Sequence, residues 1–245
     1  MRVAVVGGGP SGRAIERALV ERGATATLVS RSTGFDVLRD DAVERLGGSD
    51  VIVEATGHAT TSRTVATDFF TRSTRAVAAA ARASGARHVL LSIVHCDLPE
   101  VQGYGYFAGK AAQERLAREV SEDLVIVRST AWFEFARQSL DRFSIGPLAL
   151  VTQMRMKPVA LDAVAGVIAD VATGRRAGTA VDLAGPEVLT LWEMTRRLPD
   201  RPAVTVPLPV PGRLGRALRD GALVPGDDAE VVGPTYAEWL RAGSG

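Results

Sequence analysis

VAVVGGGPSG, residues 3–12, is the stretch whose reading decides the fold. Val3 to Val6 is a short apolar run rich in β-branched side chains, as expected of a strand buried on both faces. Gly7, Gly8 and Gly9 then remove every side chain where the chain has to turn. Pro10 cannot extend a strand ladder, and Ser11 or Gly12 opens a helix through AIERALVERG. The spacing Gly7-x-Gly9-x-x-Gly12, set between a strand and a helix, is a dinucleotide-binding fingerprint. Gly7 permits the tight turn, Gly9 lets backbone amides approach a pyrophosphate, and Gly12 lets the helix pack close to the strand. Unpaired N–H groups and partial positive charge at the helix start, beside Ser11, suit the phosphates.

Downstream, Ala24 to Ser30 predicts a second parallel strand, whose end lies where the adenosine ribose of a dinucleotide would rest. An NAD-preferring site usually places Asp or Glu there. This chain has Ser30, Arg31 and Ser32, with Arg13 nearby; a guanidinium and hydroxyls suit a 2′-phosphate, so NADP(H) is preferred over NAD(H). A short helix over 40–46 leads to a strand over 50–54, which continues into the small-residue turn Ala55-Thr56-Gly57 beside the glycine loop. A helix over 64–84, closed by Gly85, precedes a strand over 87–93. This β-α-β-α-β rhythm predicts an α/β fold with a Rossmann-like, doubly wound parallel sheet. Residues 1–150 form the expected core and 151–245 a small C-terminal substrate lobe packed on it. Within the lobe, helices are expected over 158–171, 190–198, 213–219 and 236–241, and a strand over 179–183.

The chemistry is expected at Tyr106-x-x-x-Lys110, near the start of a helix through FAGKAAQERLAREVSE. Positions i and i+4 share a helix face, so phenol and ammonium can meet in one cleft. A nearby ammonium lowers a phenol's pKa and so equips it for proton transfer to a carbonyl oxygen; the lysine can also hold ribose hydroxyls. Only positions 110 and 157 carry lysine in an arginine-rich chain, which argues that Lys110 is there for chemistry; Lys157 reads as a surface residue. Ser92, at a strand end, is placed to hydrogen-bond the same oxygen. His95 follows at the cleft mouth as a candidate additional acid or base, beside an unpartnered Cys96. Trp132, Phe133 and Phe135 are candidates for an apolar substrate wall. Along the helix after Lys110, Gln113, Glu114 and Arg118 are expected outward and Leu116 inward.

Composition sets the outer bounds. A net charge of +1 with 46% hydrophobic residues is ordinary for a globular protein, and no basic block points to nucleic acid. No apolar run approaches membrane-spanning length, and a single cysteine with three scattered histidines makes neither a disulfide nor a metal motif. The expectation is a cytoplasmic protein acting on a small molecule, with no metal; its oligomeric state is open, a homodimer included.

Glycine loop, Arg31, Ser92 and Tyr106/Lys110 occur in the order of the short-chain dehydrogenase/reductase superfamily. The chain resembles its atypical, NmrA-like branch over FFTRSTRAVAAAARASGARHVLLSIV, GYFAGKAAQERLARE, LVIVRSTAWFEF and LVPGDDAEVVGPTYAEWL. The resemblance implies NADPH use, a small C-terminal substrate lobe, and Ser92, Tyr106 and Lys110 in their usual roles. It departs from the branch in a glycine loop one residue shorter that contains Pro10, in His95 where relatives tend to have glycine, and at Ala108 and Gly109. Reduction of a carbonyl or conjugated enone of a small apolar molecule is the leading reading. A non-catalytic NADP(H)-binding redox sensor and a non-redox isomerase or cyclase are the alternatives.

Overall fold

In the computed structural model, which describes residues 1–199, 201 and 204–243, the opening stretch folds as β1 (Arg2–Val6) and α1 (Pro10–Glu21). β2 (Thr25–Val29), α2 (Ala42–Leu46), β3 (Val51–Glu54), α3 (Arg63–Ser84), β4 (Arg87–Ile93), α4 (Gly105–Val120) and β5 (Leu124–Ser129) follow. After α5 (Phe135–Phe143) come β6 (Ser144–Ile145), β7 (Leu148–Thr152), β8 (Arg155–Met156) and α6 (Leu161–Ala172). The chain continues through β9 (Ala180–Ala184), β10 (Leu189–Thr190), α7 (Leu191–Arg197) and β11 (Val204–Leu208). It ends with α8 (Gly212–Asp220), β12 (Glu230–Val231) and α9 (Tyr236–Arg241).

Seven strands form one parallel sheet in the order β12-β9-β5-β4-β3-β1-β2. β1 lies between β3 and β2, and its four residues Val3–Val6 are buried, as an apolar run covered on both faces requires. One face carries α1 and α6 over Val3, Val5, Val53, Val89 and Val127. The other carries α2 and α3 over Ala4, Val6 and Ile52. Each fully buried Val, Leu or Ile contributes about 1.5–3 kcal/mol. This layering is the Rossmann-like, doubly wound α/β fold.

Local signals place the helix ends. Asp41 accepts from the Val43 and Glu44 amides at the start of α2, and Gly85 closes α3 with a left-handed φ of 66°. Thr190 with Glu193, and Thr235 with Glu238, make capping boxes for α7 and α9. α4 has no side-chain cap, and its start is held by packing instead: the Gly105 amide donates to Thr61 O, and a Cβ at Gly105 would lie 2.4 Å from that oxygen.

β9 and β12 extend the main sheet, and α6 packs on α1, so residues on both sides of position 150 share that sheet. The smaller lobe is built from the sheet β11-β7-β6 with α5 and α7 against β7. Its core includes Phe133, Tyr236 and Trp239, the latter two stacked at 5.7 Å. The chain therefore passes between sheet and lobe more than once rather than dividing at 150. The strand β7 and helix α5 have no counterpart among the elements expected from the sequence.

Candidate functional site

A cleft of ≈ 1470 Å³ opens at the C-terminal ends of β1 to β5. It lies where the order of strands reverses, with β2 on one side of β1 and β3 on the other. Ligands of doubly wound sheets bind at such a point.

The glycine turn forms one wall. Gly7 has φ 139°, and a Cβ there would stand 2.4 Å from Ala55 O. At Gly12 a Cβ would be 1.7 Å from Gly7 O. Both obstacles are backbone, which cannot swing aside, so these two glycines are required by the protein itself. Gly9 differs: a Cβ there would meet nothing within 4 Å. Its openness faces the cleft. Pro10 stands at the first helical position, which suits its fixed φ, and Ser11 is buried at the cleft wall. The Ser11 and Gly12 amides have no intrahelical acceptor, as the first turn of any helix leaves them. Pro10 removes one donor from that set.

Beside this turn lie Ser30, Arg31 and Ser32. The Ser30 and Ser32 hydroxyls are 2.9 Å apart, and Arg31 is exposed with no ion-pair partner among the described residues. Arg13 does not line the cleft; its Nε donates to Gly8 O at 3.3 Å. Residues that the sequence reading did not single out complete the pocket: Phe35 to Arg39, and Arg72, which donates to Leu38 O. Ala55, Thr56 and Gly57, at the end of β3, lie opposite the glycine turn.

Tyr106 and Lys110 both reach the cleft from α4. Phe70 lies against both of them: the Tyr106 ring meets it edge-on at 5.5 Å, and the Lys110 Nζ lies 4.8 Å from its centroid. Gly109 makes this possible, since a Cβ there would sit 2.7 Å from the Phe70 ring. The Tyr106 hydroxyl has no hydrogen-bond partner among the described residues and points toward Gly57. Burial, with Tyr104 nearby, pushes its pKa up to about 12. The expected lowering by Lys110 is therefore not what the fold provides. The ammonium donates instead to Leu91 O at 2.8 Å and Gln113 Oε1 at 2.7 Å. Burial brings Lys110 down to about 8, opposed first by the charge of Glu54.

Other expectations need correction. Ser92 lines the cleft but is 1% exposed, with its hydroxyl set between Cys96 Sγ at 3.9 Å and the Glu114 carboxylate. Cys96 is buried, and burial with the Glu114 charge pushes its thiol up to about 12, which disfavours the thiolate. His95 adopts φ 60° and turns its Nδ1 to Ala222 O at 2.8 Å; it lies outside the cleft and ties two loops together. An isomerase or cyclase with His95 in the cleft therefore has no support from this geometry. Trp132 and Phe135 line the cleft, whereas Phe133 is sealed in the lobe core against Tyr236 and Trp239. Gln113 and Glu114, expected outward, are buried. Glu114 pairs with Arg128 and Arg118, and Arg128 also with Asp182.

At its far end the cleft passes into the lobe along Met154, Leu191, Leu208, Leu214, Leu218 and Leu223. Those residues come from five separate segments, and no local pattern marks them as a group.

No family model and no curated protein sequence matches the chain. Solved structures match its fold along nearly the full length. A Bacillus anthracis dTDP-4-dehydrorhamnose reductase in complex with NADP is 13% identical at TM-score 0.72, covering 98% of this chain and 97% of its own. An NADPH-dependent quinone oxidoreductase from Escherichia coli, complexed with NADPH, is 16% identical at TM-score 0.67, covering 99% and 100%. A short-chain dehydrogenase/reductase superfamily protein from Agrobacterium tumefaciens with bound NAD is 19% identical at TM-score 0.65, covering 99% and 95%. The fold is thus the one these dinucleotide-bound structures share. Among the described residues no helix is long and apolar enough to cross a membrane.

Proposed function

We propose that this protein is an NADPH-dependent oxidoreductase of the atypical short-chain dehydrogenase/reductase kind, in its NmrA-like branch, reducing a carbonyl or conjugated enone of a small apolar molecule. One observation carries the reading. A single cleft joins the open glycine turn, the unpartnered Tyr106 hydroxyl with Lys110 beside it, and an apolar tunnel into the lobe.

The residues fit a dinucleotide. The free amides of Ser11 and Gly12 suit the pyrophosphate, and Gly9 leaves it room. Arg31, with the Ser30 and Ser32 hydroxyls, suits a 2′-phosphate. Ala55 to Gly57 border the path toward Tyr106. When bound, the reduced nicotinamide supplies a hydride to the electrophilic carbon of the substrate. Tyr106, a neutral phenol at pH 7, gives its proton to the oxygen, so one hydride and one proton complete the reduction. The Lys110 ammonium adds positive charge beside the ribose site. Trp132 and Phe135, with the leucines of the lobe, exclude water from the reacting carbon.

The test follows NADPH absorbance with a panel of aldehydes, ketones, quinones and enones. The wild type should consume NADPH with at least one class, and Tyr106→Phe should lose about 10²–10⁴-fold in rate with its fold intact. Equal rates in the two proteins would sink the assignment of Tyr106. A second reading, cofactor binding without turnover, draws on the engagement of Ser92 with Cys96 and Glu114, which leaves the substrate oxygen one donor short. Tight NADPH binding with no consumption across the panel would select it.

A further inference from the structure

We propose that Glu54 is a positioning residue, acting through the Gln113 amide to hold the Lys110 ammonium at the floor of the cleft. The proposal rests on the part given to Lys110 above.

Glu54 ends β3 and is fully enclosed. Its Oε1 accepts from Ser73 Oγ at 2.7 Å, Thr74 Oγ1 at 3.1 Å, Gln113 Nε2 at 2.9 Å and Thr56 Oγ1 at 3.3 Å. Its Oε2 accepts from Thr74 Oγ1 at 2.9 Å and His88 Nε2 at 3.2 Å. His88 Nδ1 then lies 2.8 Å from Ser121 Oγ. Donors surround the carboxylate, so the site is built for an anion. Its pKa is lowered despite burial, chiefly by His88 and then by Ser73 and Lys110.

The bridge to Lys110 has only one consistent polarity. An ammonium has donors alone, so Gln113 must offer it the carbonyl oxygen. The amide nitrogen then faces an ionised carboxylate, which accepts alone. Lys110, Gln113 and Glu54 thus form one directed chain, all three buried. The groups facing Lys110 are Glu54 from β3, Cys96 from the loop after β4, Glu114 and Tyr106 from α4, and the Phe70 ring from α3. His88, on β4, faces Glu54 from the other side. Glu54 has the largest raising influence on Lys110, ahead of Cys96 and Glu114. Isolated burial would strip the ammonium of its proton. Well-packed hydrophobic residues often replace a buried ionic network without loss of stability, so stability alone is weak grounds for a carboxylate here.

The chain offers an unusually direct test, because Lys110 and Lys157 are its only lysines. Protein labelled with ¹³Cε/¹⁵Nζ-lysine should show two side-chain resonances, assigned with Lys157→Arg. Lys110 should titrate near 8 in the wild type. Its midpoint should fall by about one unit or more in Glu54→Gln, and in the same direction in Gln113→Met, which keeps the carboxylate but cuts the bridge. If Glu54→Gln does not fold, Gln113→Met carries the test. A midpoint unmoved in the folded variants, even with a lower melting temperature, overturns the proposal and leaves the network a structural one. NADPH added to the wild type reports separately on the functional reading. A Lys110 resonance that ignores NADPH while still following Glu54 would count against the cofactor site and leave the coupling standing.

Discussion

The two walls of the cleft are made in opposite ways. The glycine turn is built from backbone, and it presents first-turn amides and an open Gly9 to the space where a ligand would lie. The wall formed by β3, β4, α3 and α4 is built from side chains, and Glu54, His88, Gln113 and Lys110 satisfy one another before any ligand arrives. From that second wall the Tyr106 hydroxyl projects with no hydrogen-bond partner among the described residues. The difference teaches how polar groups are handled on the two sides: one wall leaves backbone amides open to the cleft, the other satisfies its buried charges internally.

The largest effect should come from the closed wall. Glu54→Leu strands His88, Gln113, Ser73 and Thr74 without their acceptor and Lys110 without its nearby negative charge, and should destabilise the fold by about 3–5 kcal/mol in urea denaturation. Because the Glu54 pKa is lowered in the fold, its stabilisation is present above the ordinary carboxylate pKa and is lost as pH falls through the folded value. Glu54→Leu should therefore flatten the acid limb of the stability curve. A loss under about 1 kcal/mol would mean that the two walls do not differ as described.

Next, Gly12→Ala forces a methyl onto Gly7 O and should cost about 1–3 kcal/mol, read as a lower melting temperature without any ligand present. An unchanged melting temperature would show that the turn yields more readily than its backbone contact suggests. At the open wall, Arg31→Ala should weaken NADPH binding about 10–100-fold and leave NADH nearly unchanged, measured by fluorescence titration. Equal losses for the two cofactors would remove the 2′-phosphate assignment. The smallest expected effect is that of Gly9→Ala on stability, within about 0.5 kcal/mol. The same variant should weaken NADPH binding, and that split between stability and binding is what distinguishes Gly9 from Gly12.

Much of this was legible in advance where a feature is carried by local spacing. β1, α1 and the roles of Gly7 and Gly12 follow from ten consecutive residues, and Tyr106 with Lys110 from a four-residue interval. The exposure of α4 was misread because Gln113 and Glu114 look like solvent-facing residues. A polar side chain carries no local sign of the partner it will find across the sheet. The carboxylate that closes the apolar run Asp50–Glu54 was the available hint, since a charge ending a buried strand needs partners. For Phe133, Trp132 and Phe135 the sequence offered three equivalent aromatics, and the packing of Tyr236 and Trp239 some hundred residues away decided which one is core.

By itself the sequence determined the alternation of strands and helices through β5, the glycine turn and the phenol–lysine pair, because periodicity and short spacings act through neighbouring backbone. Only the tertiary structure decided that His95 faces Ala222, that Ser92 is engaged with Cys96 and Glu114, and that Lys110 is tied to Glu54. Those outcomes depend on which distant groups share a buried space. There an unpaired charge is costly enough to choose its partner, and no stretch of chain read alone contains both members of the pair.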